Sequence, residues 1–206
     1  MAVERFVPLV LCVTLLLSGC GGGEMSLTEY VERLNAIMAR ANQQGEALVA
    51  SPRGQVLFAE GEQLTNFTPQ DLEATLERVG EIEVEVREAT DAIEPPEEVA
   101  DIHNLLFDTR FASAREALAT RAGTAADWEE LSETPEMAAY RTAVTVDRQA
   151  CIDFQTELDA TAARGVFADT PWIPGELKEV VEAVLGCARW PEHPEDMFRP
   201  PPTSAP

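Results

Sequence analysis

The chain has 206 residues, enough for one domain with a sizeable core and too few for two comfortable ones. Apolar residues make up 45% and charged residues 25%, the balance of a folded domain rather than a disordered one. The formal net charge of −22 repels nucleic acid and anionic lipid, so it argues against nucleic-acid binding and leaves cationic partners open.

Met1 to Cys20 has the parts of an export signal: a short basic start with Arg5, an apolar run from Phe6 to Leu17, and a small-residue region. The run is too short to span a bilayer of roughly 30 Å as a helix, which takes about 20 residues. It ends in Leu17-Ser18-Gly19-Cys20, followed by Gly21 to Gly23. Those residues resemble the lipobox of bacterial lipoproteins. The resemblance implies that residues 1–19 are a signal peptide and that Cys20 is acylated. It also implies a mature chain on the extracytoplasmic face of the cell membrane or outer membrane. The rival expectation is an ordinary signal peptide cut nearby, which would leave a free protein. Glu4 and Arg5 cancel, so loss of 1–19 leaves the charge unchanged. Residues 20–25 form a lipidated cysteine and glycine linker, reaching less than ~20 Å at about 3.5 Å per residue.

The folded domain is expected over 26–189. Ser26-Leu27-Thr28-Glu29 has the pattern of a capping box, and Leu27, Val31, Leu34, Met38 and Ala41 then follow at helical spacing. Leu48 and Val49 can extend this first helix, and Pro52 ends it. Residues 51–68 are ambiguous between helical turn and short strand. They read as a long connection packed on the bundle by Phe58, Leu64 and Phe67. A second helix starts with Thr68 as N-cap, Pro69 behind it and Asp71 in the first turn. Its core face holds Leu72, Leu76, Val79, Val86 and Ile93. The alternation from Glu81 to Val86 suits a strand, but the length and flanking signals of the helix outweigh it. Pro95 and Pro96 force a break. A third helix is expected from about Pro96 to Ala122, with Gly123 as its stop, followed by a short turn carrying Trp128. The fourth helix begins at Thr134-Pro135, carries Met137, Tyr140, Val144, Cys151, Phe154 and Leu158, and ends at Gly165. A shorter fifth helix, about Gly175 to Ala188, places Leu177, Val180, Val181, Val184 and Cys187 inward. Residues 190–206, rich in proline, read as a disordered tail without a core of its own.

Cys12 lies in the signal peptide and Cys20 is the lipid site, which leaves Cys151 and Cys187 as an even pair in an exported chain. Each lies about 12 residues from the hairpin between the last two helices, or roughly 18 Å along its axis. Each also falls on its helix's apolar face. Level and face together favour a Cys151–Cys187 disulfide over two buried thiols. Closing a loop of that size stabilises by roughly 3–4 kcal/mol in the chain-entropy model.

Motifs for catalysis are missing: no nucleophile elbow, zinc-protease helix, phosphate loop or dinucleotide fingerprint occurs. The chain is therefore not expected to be an enzyme, and no cofactor is expected. His103 is a weak metal candidate. Asp101 faces elsewhere on a helix, and Ala100 stands where a Glu-x-x-His pair needs its acid. His193 lies in the tail. The acids from Glu81 to Asp101 form the densest charged run and read as a solvated face rather than a cation site. Trp172 and Trp190 bracket the fifth helix, as plugs of the bundle end or as a partner-binding edge.

The fold expected is all-α: an up-and-down bundle of about four long helices plus a short C-terminal one. The Pro95-Pro96-Glu97-Glu98 break followed by His103 is similar to uncharacterised helical lipoproteins of GC-rich bacteria, a resemblance that supplies no activity. The functional expectation is a non-catalytic binding or accessory lipoprotein of the cell envelope, held by lipid at Cys20 and open to an envelope protein partner. A metal- or cofactor-binding bundle is the alternative.

Overall fold

A computed structural model describes residues 25–105, 110–168 and 193–200, and it is an all-α bundle. Helix α1, Leu27–Ala50, is capped by Ser26, whose hydroxyl accepts from the Glu29 amide. Helix α2, Pro69–Asp91, opens with a reciprocal capping box. The Thr68 hydroxyl accepts from the Asp71 amide at 3.2 Å, and the Asp71 carboxylate accepts from the Thr68 amide at 2.9 Å. The bonds this carboxylate accepts from the Thr68 amide and, at 2.8 Å, from the Thr68 hydroxyl, with the Arg53 cation nearby, hold the Asp71 carboxyl below its usual range.

Short helices α3 (Ala100–Leu105), α4 (Arg110–Thr124) and α5 (Trp128–Ser132) precede α6, Pro135–Ala163, which Thr134 caps. Among the described residues there is no strand, so the alternating run of α2 is helical and leaves Val84 exposed. Helices α1 and α2, α2 and α4, and α4 and α6 pack on one another. The α2–α4 pair is antiparallel: Gly80 lies against Arg115, while Glu73, further back along α2, lies against Gly123, further along α4.

Among the described residues three apolar centres fill the bundle, the smallest setting Met38 of α1 against Val86 of α2. In the first, Leu72 and Leu76 of α2 meet Phe111, Leu118 and Ala122 of α4, Trp128 and Leu131 of α5, and Met137, Tyr140 and Val144 of α6. In the second, Tyr30, Val31 and Leu34 of α1 meet Ile93, Val99 and Ile102, and Cys151, Phe154 and Leu158 of α6. The six residues expected on the apolar stripe of α6 are all buried, and Gly165 ends the helix at φ +83°, a conformation that suits glycine.

Four expectations need correction. The connection 51–68 contains two 3₁₀ turns, Gly54–Phe58 and Gly61–Asn66. Their three-residue repeat turns Val56 and Ala59 inward together and leaves Phe58 52% exposed, so Phe58 does not pack that connection down. The third helix opens as a 3₁₀ turn at Glu97–Val99 rather than as α-helix and becomes α-helical at Ala100; its continuation is described as α3 and α4, and residues 106–109 between them lie outside the described set. Gly123 does not stop α4, which runs on to Thr124. A Cβ there would meet the Glu73 carboxylate, the movable end of a side chain on α2.

The fourth correction concerns the tail. Residues 193–200 are not an extended strand of chain in solvent. Pro194–Asp196 forms a 3₁₀ turn, and Met197 and Phe198 are buried in the first apolar centre. Proline content argued for extension, but two adjacent large apolar side chains outweigh it by burying their surface. The fifth helix, with Cys187, Trp172 and Trp190, lies outside the described residues, as does Cys20.

Candidate functional site

Two polar centres are built into the helix interfaces. The first joins α2, α4 and α6. Arg115 occupies a place on the apolar stripe of α4, between Phe111 and Leu118, with its side chain only 10% exposed. Its Nε donates to Glu83 at 3.0 Å and its Nη1 donates to the carbonyl of Leu76 at 3.0 Å. The guanidinium fits because residue 80 is glycine: a Cβ there would collide with it. Burial pushes the Glu83 carboxyl up, and the Arg115 charge offsets part of that rise. The buried hydroxyl of Tyr140 is likewise pushed up, first by burial and then by the Glu83 charge.

The sequence alone does not single out this centre. Glu83 belongs to the acidic run, and in composition it looks like its solvated neighbours Glu81, Glu85 and Glu88, which are exposed. The available signal was an arginine on an apolar stripe. Such a residue must find an anion, because a buried guanidinium without one is costly.

The second centre joins α1 and α3. His103 Nδ1 lies 3.0 Å from the hydroxyl of Tyr30, and the two rings sit 5.7 Å apart. Burial lowers the imidazole pKa, and the Asp91 charge opposes that shift. Burial raises the Tyr30 phenol. His103 is thus a half-buried histidine with a hydrogen-bond partner. Tyr30 falls one residue outside the stripe read from the sequence and is fully buried beside it.

Among the described residues no group of three His, Cys, Asp or Glu side chains converges well enough to hold a metal ion. The run 81–101 is spread over α2, the proline turn and α3. Glu81 pairs with Arg78, and Glu85 accepts from Gln44 at 2.9 Å. His193 is exposed and bonds to Glu195 at 3.1 Å. An open groove of about 420 Å³ between α1 and α2 is lined by Gln43, Gln44, Ala47, Leu48, Ser51 and Arg78. No helix among the described residues is long and apolar enough to cross a membrane.

Cys151 is fully buried and its sulfur is in a disulfide; Cys187, its expected partner, lies outside the described residues. Comparison of the chain with family models, curated proteins and solved structures finds no match.

Proposed function

We propose that this chain is a lipid-anchored, non-catalytic binding protein of the bacterial cell envelope, tethered at Cys20 and held together by a Cys151–Cys187 disulfide. The observation that carries the reading is Leu17-Ser18-Gly19-Cys20 standing six residues before Ser26, whose side chain caps α1. A tether that short keeps the bundle within ~20 Å of the lipid surface. The acidic surface is repelled by anionic headgroups, so attachment falls to the acyl chains, and two of them suffice for stable anchoring.

The ties of Arg115 to Glu83 and of Tyr30 to His103 hold the described helices against one another, so that the bundle presents fixed faces to a partner. Fractionation of cells expressing Cys20→Ala tests the anchor. The variant is expected in the soluble fraction with its helical content intact. Continued membrane association would mean that something other than lipid at Cys20 holds the protein.

A further inference from the structure

The corner where α5 meets α6 holds a short peptide by its backbone and by two side chains. Phe198 stacks on Trp128 at 6.0 Å with the ring planes 15° apart, and meets Tyr140 at 6.4 Å. Arg141 donates twice to the carbonyl of Met197, from Nε at 3.0 Å and from Nη2 at 2.6 Å. Pro194, Met197 and Phe198 are buried, whereas Glu195, Asp196 and Arg199 face solvent.

The walls are fixed by bonds that do not involve this peptide. Trp128 Nε1 donates to the Phe67 carbonyl at 2.9 Å, and Tyr140 packs on Phe111 at 5.5 Å. The peptide in turn organises itself. Its amides bond within the turn, Asp196 to His193 at 3.0 Å and Met197 to Pro194 at 3.2 Å. Phe198 adopts φ +54°, a left-handed conformation uncommon for an aromatic residue. Walls held by their own bonds, a cation placed for a carbonyl and a self-contained turn seated between them have the geometry of a binding site and its ligand.

We propose that Trp128, Tyr140 and Arg141 form a peptide-binding site for a short Pro-acid-acid-apolar-aromatic segment. The chain's own residues 193–200 fill this site in cis and compete with a partner segment of the same chemistry supplied in trans. This rests on the binding role proposed above and specifies its ligand class. Anchoring is read by fractionation and peptide binding by titration, so one can fail without the other. The aromatic slot takes the ring, Arg141 takes the carbonyl before it, and the acids of the ligand lie in the field of the Arg141 cation, as Asp196 does here.

The test uses the full chain in detergent and a fluorescently labelled synthetic peptide, His-Pro-Glu-Asp-Met-Phe-Arg-Pro. Phe198→Ala empties the slot in cis. The variant is expected to bind the peptide saturably, at least tenfold more tightly than the unsubstituted chain, whose own segment competes. The same peptide with alanine in place of phenylalanine is expected not to bind, and Arg141→Gln added to Phe198→Ala is expected to weaken binding at least fivefold. Self-association of the unsubstituted chain that the peptide disperses would support the site, with a second copy as donor. A folded Phe198→Ala chain that ignores the peptide overturns the proposal, as does binding unaffected by Arg141→Gln. Should Phe198→Ala lose its helical circular dichroism, the unsubstituted chain is titrated with an excess of the two peptides instead: saturable binding of the phenylalanine peptide alone supports the site, and no difference between the two peptides overturns it.

Discussion

Arg115 shows what a single buried charge demands. Its guanidinium takes a carboxylate from Glu83 and a carbonyl from Leu76, and Gly80 makes room for it. Replacing Glu83 by glutamine relieves the burial of one charge and strands another. The second effect wins, because the Arg115 side chain is 10% exposed and that of Glu83 36%. Glu83→Gln is therefore expected to destabilise the chain by about 1–3 kcal/mol in urea unfolding, below the figure for a wholly buried pair because Glu83 is partly solvated. Adding Arg115→Met should recover most of the loss, since an apolar side chain of similar length needs no counter-charge. No recovery in the double variant would show that the pair does more than balance charge. His103 makes a second residue-scale case. Its folded pKa lies below the ordinary 6.5, so above that pH both folded and unfolded chains are neutral and its contribution is complete. As pH falls through 6.5 the unfolded chain takes the proton first, and stability drops until the folded imidazole also protonates. Between pH values of about 7 and 5 the urea midpoint is expected to fall further for the unsubstituted chain than for His103→Gln, whose amide can still bond to Tyr30; equal slopes would remove His103 from the account.

At the scale of elements, local rules predict helix ends well and connections poorly. The caps at Ser26, Thr68 and Thr134, and the stop at Gly165, were legible because each rests on one side chain or one φ value that the sequence names. The segment 51–68 was not, because a 3₁₀ turn buries every third residue and gives too short a pattern to separate from a strand or a coil. Hydrophobicity alone places Phe58 inward, and the turn geometry sends it out. Gly54 explains why the chain turns where it does. The Ser51 hydroxyl donates to the Leu48 carbonyl at 2.6 Å and accepts from the Gly54 amide at 3.0 Å. That folds the end of α1 back so tightly that a Cβ on residue 54 would overlap the Leu48 carbonyl. Gly54→Ala meets backbone rather than a movable side chain, so a loss of about 1–3 kcal/mol is expected, with hydrogen exchange rising at 48–60. An unchanged midpoint would mean that the turn opens without cost. At the tail composition fails for a related reason: it describes a segment's average, whereas Met197 and Phe198 act as two particular side chains meeting Trp128 and Tyr140.

For the molecule as a whole, 37 acids stand against 15 basic residues, and the described ion pairs are mostly at the surface, where each contributes little. Long-range repulsion among the unpaired carboxylates then opposes the compact state. Screening weakens that repulsion, because the Debye length shrinks from about 30 Å at 0.01 M salt to about 3 Å at 1 M. Raising sodium chloride from about 0.02 to about 0.5 M is therefore expected to raise the thermal midpoint by roughly 3 °C, a gain of about 1 kcal/mol for a chain of this size. Potassium chloride should give the same rise, since screening depends on ionic strength and not on ion identity. Calcium separates a screened surface from a cation site. With the acids from Glu81 to Asp101 spread along α2, the proline turn and α3, and no metal-holding group among the described residues, calcium chloride should follow the ionic-strength curve. A saturable rise at millimolar calcium, larger than sodium chloride gives at equal ionic strength and lost on replacing Asp91 and Glu94 by their amides, would instead make the acidic run a binding site in its own right.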